Sequence, residues 1–357
     1  MQKISFKNIM DSNYIKLIGR NYYDDDLDAV MMSQSASGFT IKFKGTSLTL
    51  DLVTTNSEID SKRPFIAIII DGNYNNPRVV SLNKPLYKNF IIVSGLDDVD
   101  HEITVIKRNE ALESFFGLKS VSTDGFFIEK VIKPRYIEIL GDSTVAGYGN
   151  EVPNGVLKAS DNTNIMKTFT YIAAQKFDAD YSIICASGWG VVGSVWTNPQ
   201  TVNLCEIYKR RYYGTLDVNT LTHKYSEKIY DFSNNRQSDV IVLSIGANDL
   251  TYVDAGYQIS EEEGLKRIEV FNEEYLKLLE FINELHPNAE IFMVSWQEIP
   301  MYYLVKKAFD AANMSNTHIV TVTGDMKSAK HHPSAQCHIE ISDILINEIS
   351  KIMGWEI

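Results

Sequence analysis

The chain reads as an α/β protein: a doubly wound parallel sheet in three flavodoxin-like layers, preceded by an all-β domain of sandwich or jelly-roll type. Three observations predict this. Up to about residue 130, short β-rich runs follow one another with no convincing long helix among them. Beyond that point, apolar runs rich in β-branched residues alternate with segments of helical period. The length, 357 residues, also exceeds what one compact domain usually holds. The boundary falls at Lys133-Pro134, which gives domains of residues 1–132 and 133–357.

In the first domain the expected strands are Phe39 to Phe43, Ser47 to Val53, Phe65 to Ile70, Arg78 to Leu82, Phe90 to Val93, Glu102 to Ile106 and Phe126 to Ile132. Gly45, Asp71-Gly72 and Gly95 punctuate them as turns. The acidic run Asp24-Asp25-Asp26 reads as a solvated loop. In the second domain the expected buried strands are Tyr136 to Leu140, Tyr181 to Cys185, Val240 to Ile245, Glu290 to Trp296 and His318 to Thr323. A long helix starts at an N-cap, Ser260, with Glu263 completing a capping box, and ends at His286-Pro287. A second helix is expected from Met166 to Phe177, and a third carries Ile341, Leu345, Ile349 and Ile352 on one face. Residues 197 to 236 are long for a connection; Lys209-Arg210-Arg211 with Tyr208, Tyr212 and Tyr213 reads as surface helix or loop covering the sheet.

Composition narrows the function classes. Hydrophobic residues make up 44% and charged residues 22%, the balance of a soluble globular protein. A formal charge of -12 argues against nucleic acid as a partner and suits a neutral substrate. Cys185, Cys205 and Cys337 are too few and too scattered for a disulfide framework or a thiolate metal site. His331, His332 and His338 lack an HExxH pattern and a carboxylate at ligand spacing, so no metal is expected, nor any cofactor. Met1 to Phe6 lacks the apolar core of a secretory signal, and no stretch reaches the length of a membrane span. A cytoplasmic location is expected, or a secreted one if the numbering begins after a removed leader.

Four stretches fall at predicted carboxyl ends of strands or at the start of the last helix: Gly141-Asp142-Ser143, Ser187-Gly188-Trp189-Gly190, Gly246-Ala247-Asn248-Asp249 and His331-His332-Pro333-Ser334. A doubly wound sheet gathers such loops at one edge. Together they hold the parts that acyl transfer needs. A serine attacks a carbonyl, a histidine takes and returns its proton, and uncharged donors wait for the oxyanion. On this reading Ser143 is the nucleophile and His332 the base, with His331 the alternative that the following proline disfavours. The N–H groups of Ser143 and Gly188, with the Asn248 side chain, form the oxyanion hole. Trp189, Trp296 and Asp249 are candidate substrate contacts, although Asp142 and Asp249 also suit structural hydrogen bonding beside the site. His338 reads as a helix-surface or half-buried histidine.

These ordered blocks resemble those of the SGNH (GDSL-type) hydrolases over residues 136 to 340. With a β-domain whose late strand reads His101-Glu102-Ile103-Thr104-Val105-Ile106-Lys107-Arg108, the chain looks like carbohydrate esterase family two. The resemblance implies a jelly roll fused to an SGNH domain, acting on O-acetylated plant polysaccharides such as xylan or glucomannan, or on their oligosaccharides. One position departs from the SGNH pattern: the aspartate that usually precedes the histidine is replaced by Ala329 and Lys330. Lysine cannot accept a hydrogen bond from imidazole. A backbone carbonyl, or Asp325 folding back, must orient the ring instead, and the carbonyl is favoured. The competing readings are an SGNH lipase, thioesterase or arylesterase, and a carbohydrate-binding protein whose hydrolase half has decayed.

Overall fold

The computed structural model describes residues 2–5, 9–10, 12–55, 57–194, 204–210, 213–217, 222–225, 229–254, 259–297 and 300–357. Among the described residues, twelve strands precede residue 130: β1 to β12 are Gln2–Ser5, Ile15–Ile18, Tyr22–Asp24, Ala29–Met32, Gly38–Gly45, Leu48–Thr54, Phe65–Ile70, Arg78–Ser81, Leu86–Val93, Val99–Lys107, Phe116–Thr123 and Phe126–Ile128. They form two six-stranded antiparallel sheets. One runs β3-β4-β11-β6-β9 with β1 against β11; the other runs β12-β5-β10-β7-β8 with β2 against β5. Alternate residues of both, among them Phe39, Phe43, Leu50, Ile68, Val105, Phe116 and Leu118, meet in one apolar core.

The strands expected from apolar runs are present, whereas β1 to β4 and β11 carry weaker signals. In β11, Ser120 and Thr123 are both buried. Their hydroxyls are absorbed locally: Ser120 Oγ donates to Asp51 Oδ2 at 2.6 Å and Thr123 Oγ1 to the Ser47 carbonyl at 2.9 Å. A strand built this way has no apolar run to read. The acidic run closes the β3–β4 hairpin, where Asp24 Oδ1 accepts the N–H groups of Asp26 and Leu27.

Residues 135 onward build a parallel sheet from β13 (Arg135–Gly141), β14 (Ala179–Cys185), β17 (Val240–Ser244), β18 (Glu290–Trp296) and β19 (Thr317–Val322), in the order β14-β13-β17-β18-β19. The intervening β15 (Tyr213–Asp217) and β16 (Thr222–Tyr225) pair as a separate hairpin. Seven helices accompany the sheet among the described residues: α1 (Ser143–Ala146), α2 (Phe169–Lys176), α3 (Leu204–Lys209), α4 (Leu250–Asp254), α5 (Glu261–Leu285), α6 (Met301–Ala312) and α7 (Ala335–Met353). α2 packs on α7 and against β14; α5 packs on α6 and α3. The Ser260 cap of α5 is in place, its hydroxyl accepting the Glu263 N–H at 3.2 Å. Ser334 caps α7 through the Cys337 N–H at 3.1 Å. The long connection is more than a surface cover. Tyr208 is fully buried and Lys209 pairs with Glu206, while Arg211 and Tyr212 lie outside the described residues.

The two halves meet through charge as well as apolar surface. Glu138 lies on β13 and is 1% exposed, so its carboxylate would be prohibitively costly without a partner. Arg20, from the turn after β2 and equally buried, supplies one: Nη2 donates to Oε1 at 2.7 Å and Nε to Oε2 at 3.3 Å. The guanidinium lies 4.4 to 4.9 Å from the ring centroids of Tyr208, Tyr230 and Phe232. Tyr208 spends its single hydroxyl proton on Glu138. Its oxygen therefore accepts from His286 Nε2 at 3.0 Å, leaving Nδ1 to accept the Ser238 N–H at 3.3 Å. Replacing Arg20 with Met should strand the Glu138 carboxylate and lower the unfolding free energy by about 3–5 kcal/mol, measured by denaturant unfolding. The double substitution Arg20→Met with Glu138→Leu should recover part of that loss.

Candidate active site

The parallel register decides which loops become neighbours. Gly141 lies opposite Cys185 on one side and Ser244 on the other, so the segments after β13, β14 and β17 leave the sheet side by side. Gly141 is the tightest point. A Cβ there would sit 2.3 Å from Val145 Cγ2 and 2.9 Å from the Ser244 carbonyl oxygen, so only glycine lets the chain turn at once from β13 into α1. Asp142 caps that short helix, its Oδ1 accepting the Thr144 N–H at 2.9 Å, and Ser143 is its first residue.

Four loops are tied to one another at this edge. The Ala186 N–H donates to the Gly141 carbonyl at 3.3 Å, joining the first to the second. Asn248 Nδ2 donates to the Trp189 carbonyl at 2.7 Å, joining the third to the second. Gly188 has φ +87°, the left-handed region open to glycine. The fourth loop returns through His332, whose Nε2 lies 2.8 Å from Ser143 Oγ. Its Nδ1 lies 2.8 Å from the Ala329 carbonyl oxygen. That oxygen can only accept, so Nδ1 carries the proton and Nε2 is left as acceptor for the serine hydroxyl. Asp325 faces the Ser334 N–H instead, at 3.4 Å. His331 faces Asn154, with Nδ1 3.1 Å from Nδ2, on the exposed side of the loop.

The loop that presents Ala329 is strained and then locked. Lys330 and His331 both hold left-handed backbone, at φ +48° and +57°, which side-chain-bearing residues rarely adopt. Ser328 anchors the preceding turn: its Oγ is 2.9 Å from the Gly149 carbonyl and 2.7 Å from that of Val152, and its N–H donates to the His332 carbonyl at 2.9 Å. The imidazole is mostly enclosed, and burial pulls its pKa below the ordinary value despite the carbonyl contacts that favour the charged form.

Three candidate substrate contacts are corrected by the geometry. Trp189 and Trp296 are 1% and 2% exposed and belong to the core of the α/β half, so neither offers a ring face to a sugar. Asp249 is fully buried and accepts the N–H groups of Val191, Val192 and Gly193 at 2.7 to 2.8 Å. It shapes the loop after β14. Burial pushes its carboxyl up to about 6 even though the three donors favour the charged form. His338 is also more buried than expected, stacked on Phe169 with ring centroids 5.9 Å apart.

Sequence reasoning passed over Tyr148, whose ring stacks on His332 at 4.4 Å between centroids and 23° between planes. Its place between Gly147 and Gly149 was a usable signal, since two glycines around an aromatic free the backbone to turn that ring toward a neighbour. Ala329 acts through its carbonyl and leaves no trace in side-chain chemistry.

Residues 17–128 match the family model described as carbohydrate esterase 2 N-terminal. A Cellvibrio japonicus protein named acetylxylan esterase / glucomannan deacetylase is 27% identical over 261 residues, 70% of this chain and 63% of that one. The alignment thus spans less than two thirds of that relative. Among solved structures, the acetyl xylan esterase Est2A from Butyrivibrio proteoclasticus superposes with a TM-score of 0.82 at 18% identity, covering 99% of each chain. A family two carbohydrate esterase from Clostridium thermocellum in complex with cellohexaose gives 0.78 at 21% identity, covering 96% of this chain and 100% of that one. At these identities the likeness to the solved structures is one of fold, and it takes in the β half and the α/β half together.

Two histidines should report the site's burial directly. In an NMR titration the His332 ring should stay neutral at pH 7 and take up its proton only below the ordinary midpoint of about 6.5. His338, which burial pushes down to about 3, should also be neutral at pH 7 and remain so well below the ordinary midpoint.

Proposed function

We propose that this chain is a serine esterase that removes O-acetyl groups from carbohydrate, acting on plant-type substrates such as xylan, mannan or glucomannan or their oligosaccharides. The observation that carries the reading is the 2.8 Å contact between Ser143 Oγ and His332 Nε2, with the opposite ring nitrogen held by the Ala329 carbonyl. The carbohydrate esterase 2 domain at residues 17–128 and the deacetylase names of the relatives support the substrate class.

The steps follow from the protons. Ser143 Oγ attacks the acetyl carbonyl carbon as its proton passes to His332 Nε2, and the carbonyl oxygen becomes an oxyanion. The N–H groups of Ser143 and Gly188 and the Asn248 amide receive that charge. One Asn248 N–H is already committed to the Trp189 carbonyl, which fixes the amide plane and leaves its second N–H for the oxyanion. The imidazolium formed meanwhile keeps its Nδ1–H bond to Ala329 and faces the π surface of Tyr148, both favourable to a transient cation. The tetrahedral intermediate collapses, the sugar hydroxyl leaves with the proton from Nε2, and an acetyl-serine remains. Water, deprotonated by the same nitrogen, attacks that ester; collapse releases acetate and restores the Ser143 hydroxyl.

Acetate release from acetylated xylan and acetylated glucomannan tests the reading. Ser143→Ala should reduce it to background with unchanged thermal unfolding, and full retention of activity would remove the nucleophile. Asn248→Ala should lower kcat by about 10²–10³ while KM moves little. An effect confined to KM would contradict an oxyanion role.

A further inference from the structure

The β-rich half sends one turn into the catalytic edge. After β10 the chain continues through Arg108, whose N–H donates to the Phe65 carbonyl at 2.7 Å and whose Nη1 donates to the Asp161 carbonyl at 2.7 Å. The turn therefore grips both halves before it reaches Glu110. Lys107, fully buried, holds the same turn from within, its Nζ donating to the carbonyls of Asn109 and Glu110 at 2.8 and 2.6 Å. Glu110 is itself 2% exposed, and its two carboxylate oxygens point to different parts of the site. Oε1 accepts the N–H of Ser187, the residue before Gly188. Oε2 accepts from Lys158 Nζ at 2.8 Å. The same ammonium lies 5.4 Å from the ring centroid of Tyr148, the ring stacked on His332.

We propose that Glu110 is a positioning residue for the reaction: one carboxylate from the β half fixes the peptide leading into Gly188 and, through Lys158 and Tyr148, the packing of the base. The inference rests on the esterase reading above and adds the part played by the first domain. A charged acceptor suits the task because its bonds to N–H donors are about twice as strong as neutral ones. The charge persists in the fold. Burial works against it, but Lys158 and the Ser187 N–H hold the Glu110 carboxyl below its ordinary range. Lys158 touches Glu113 as well, but the second oxygen of Glu113 accepts from Asn109 Nδ2 at 3.1 Å and Ser160 Oγ at 2.9 Å, whereas that of Glu110 accepts the Ser187 N–H. That difference separates positioning from general cohesion.

The experiment compares Glu110→Gln with Glu113→Gln in the full chain, using p-nitrophenyl acetate, with thermal unfolding as control. E110Q keeps an acceptor for Ser187 but loses the charge. It should lower kcat at least about tenfold with KM within about twofold, the pattern of misaligned groups in the transition state. E113Q should lower kcat less than about threefold even where the two variants lose similar thermal stability. Should E110Q not fold, Glu110→Asp serves: it keeps the charge beside Lys158 but is a methylene too short to reach both partners, and the same kcat loss is expected. A folded E110Q with wild-type kcat, a change in KM alone, or equal kcat losses in E110Q and E113Q would each overturn the proposal. A wild-type chain that hydrolyses no ester would instead remove the functional reading itself.

Discussion

A buried carboxylate on the strand that delivers the serine sets the terms for the whole molecule. Glu138 sits in the middle of β13, five residues before Ser143, out of reach of water. Removing such a group from water costs several kcal/mol unless a partner meets it in good geometry. Arg20 does so from the other half, and three aromatic rings enclose the pair. The α/β half as folded here is therefore incomplete without the β-rich half. The pair also explains Tyr208, whose hydroxyl donates to Glu138, and His286, which donates in turn to the Tyr208 oxygen.

Given that docking, the catalytic edge is assembled by register and by backbone. Parallel pairing puts the ends of β14, β13 and β17 abreast, so three of the four loops need no further device to meet. The fourth loop arrives from α7's side and is pinned by Ser328. Buried carboxylates then hold the loop after β14 from both directions. Asp249 gathers the N–H groups of residues 191 to 193 from the α/β side, and Glu110 takes that of Ser187 from the β side. The segment carrying Gly188 is fixed at each end, the preorganisation that the proposed oxyanion hole would require.

How much of this was legible in the sequence follows from where each signal resides. Apolar runs ending in Gly141, Cys185 and Ile245 marked strands and loops together, because a strand covered on both faces has a composition of its own. Ser143, Gly188, Asn248 and His332 stood out because their chemistry is uncommon at such places. The same logic misled for Trp189 and Trp296. A tryptophan beside a strand end can face a cleft or the core, and only the packing around it decides; here it is the core. β11 escaped because its buried hydroxyls hide in local hydrogen bonds. The contact of Glu110 with Ser187 joins residues 77 positions apart, and nothing in local pattern encodes it.

The acceptor that steers His332 is a peptide oxygen, and this changes how the site can be altered. A carboxylate in that place would be a genetic unit, deleted by one codon change and open to titration. The Ala329 carbonyl is present whatever amino acid is encoded there, and a scan that truncates side chains to alanine passes over it in silence, since alanine is already the native residue. Vulnerability is displaced to the hydroxyl of Ser328, which braces the bend, and to the two left-handed residues after it. Substitutions at these three positions should therefore act through the shape of the loop that holds the imidazole.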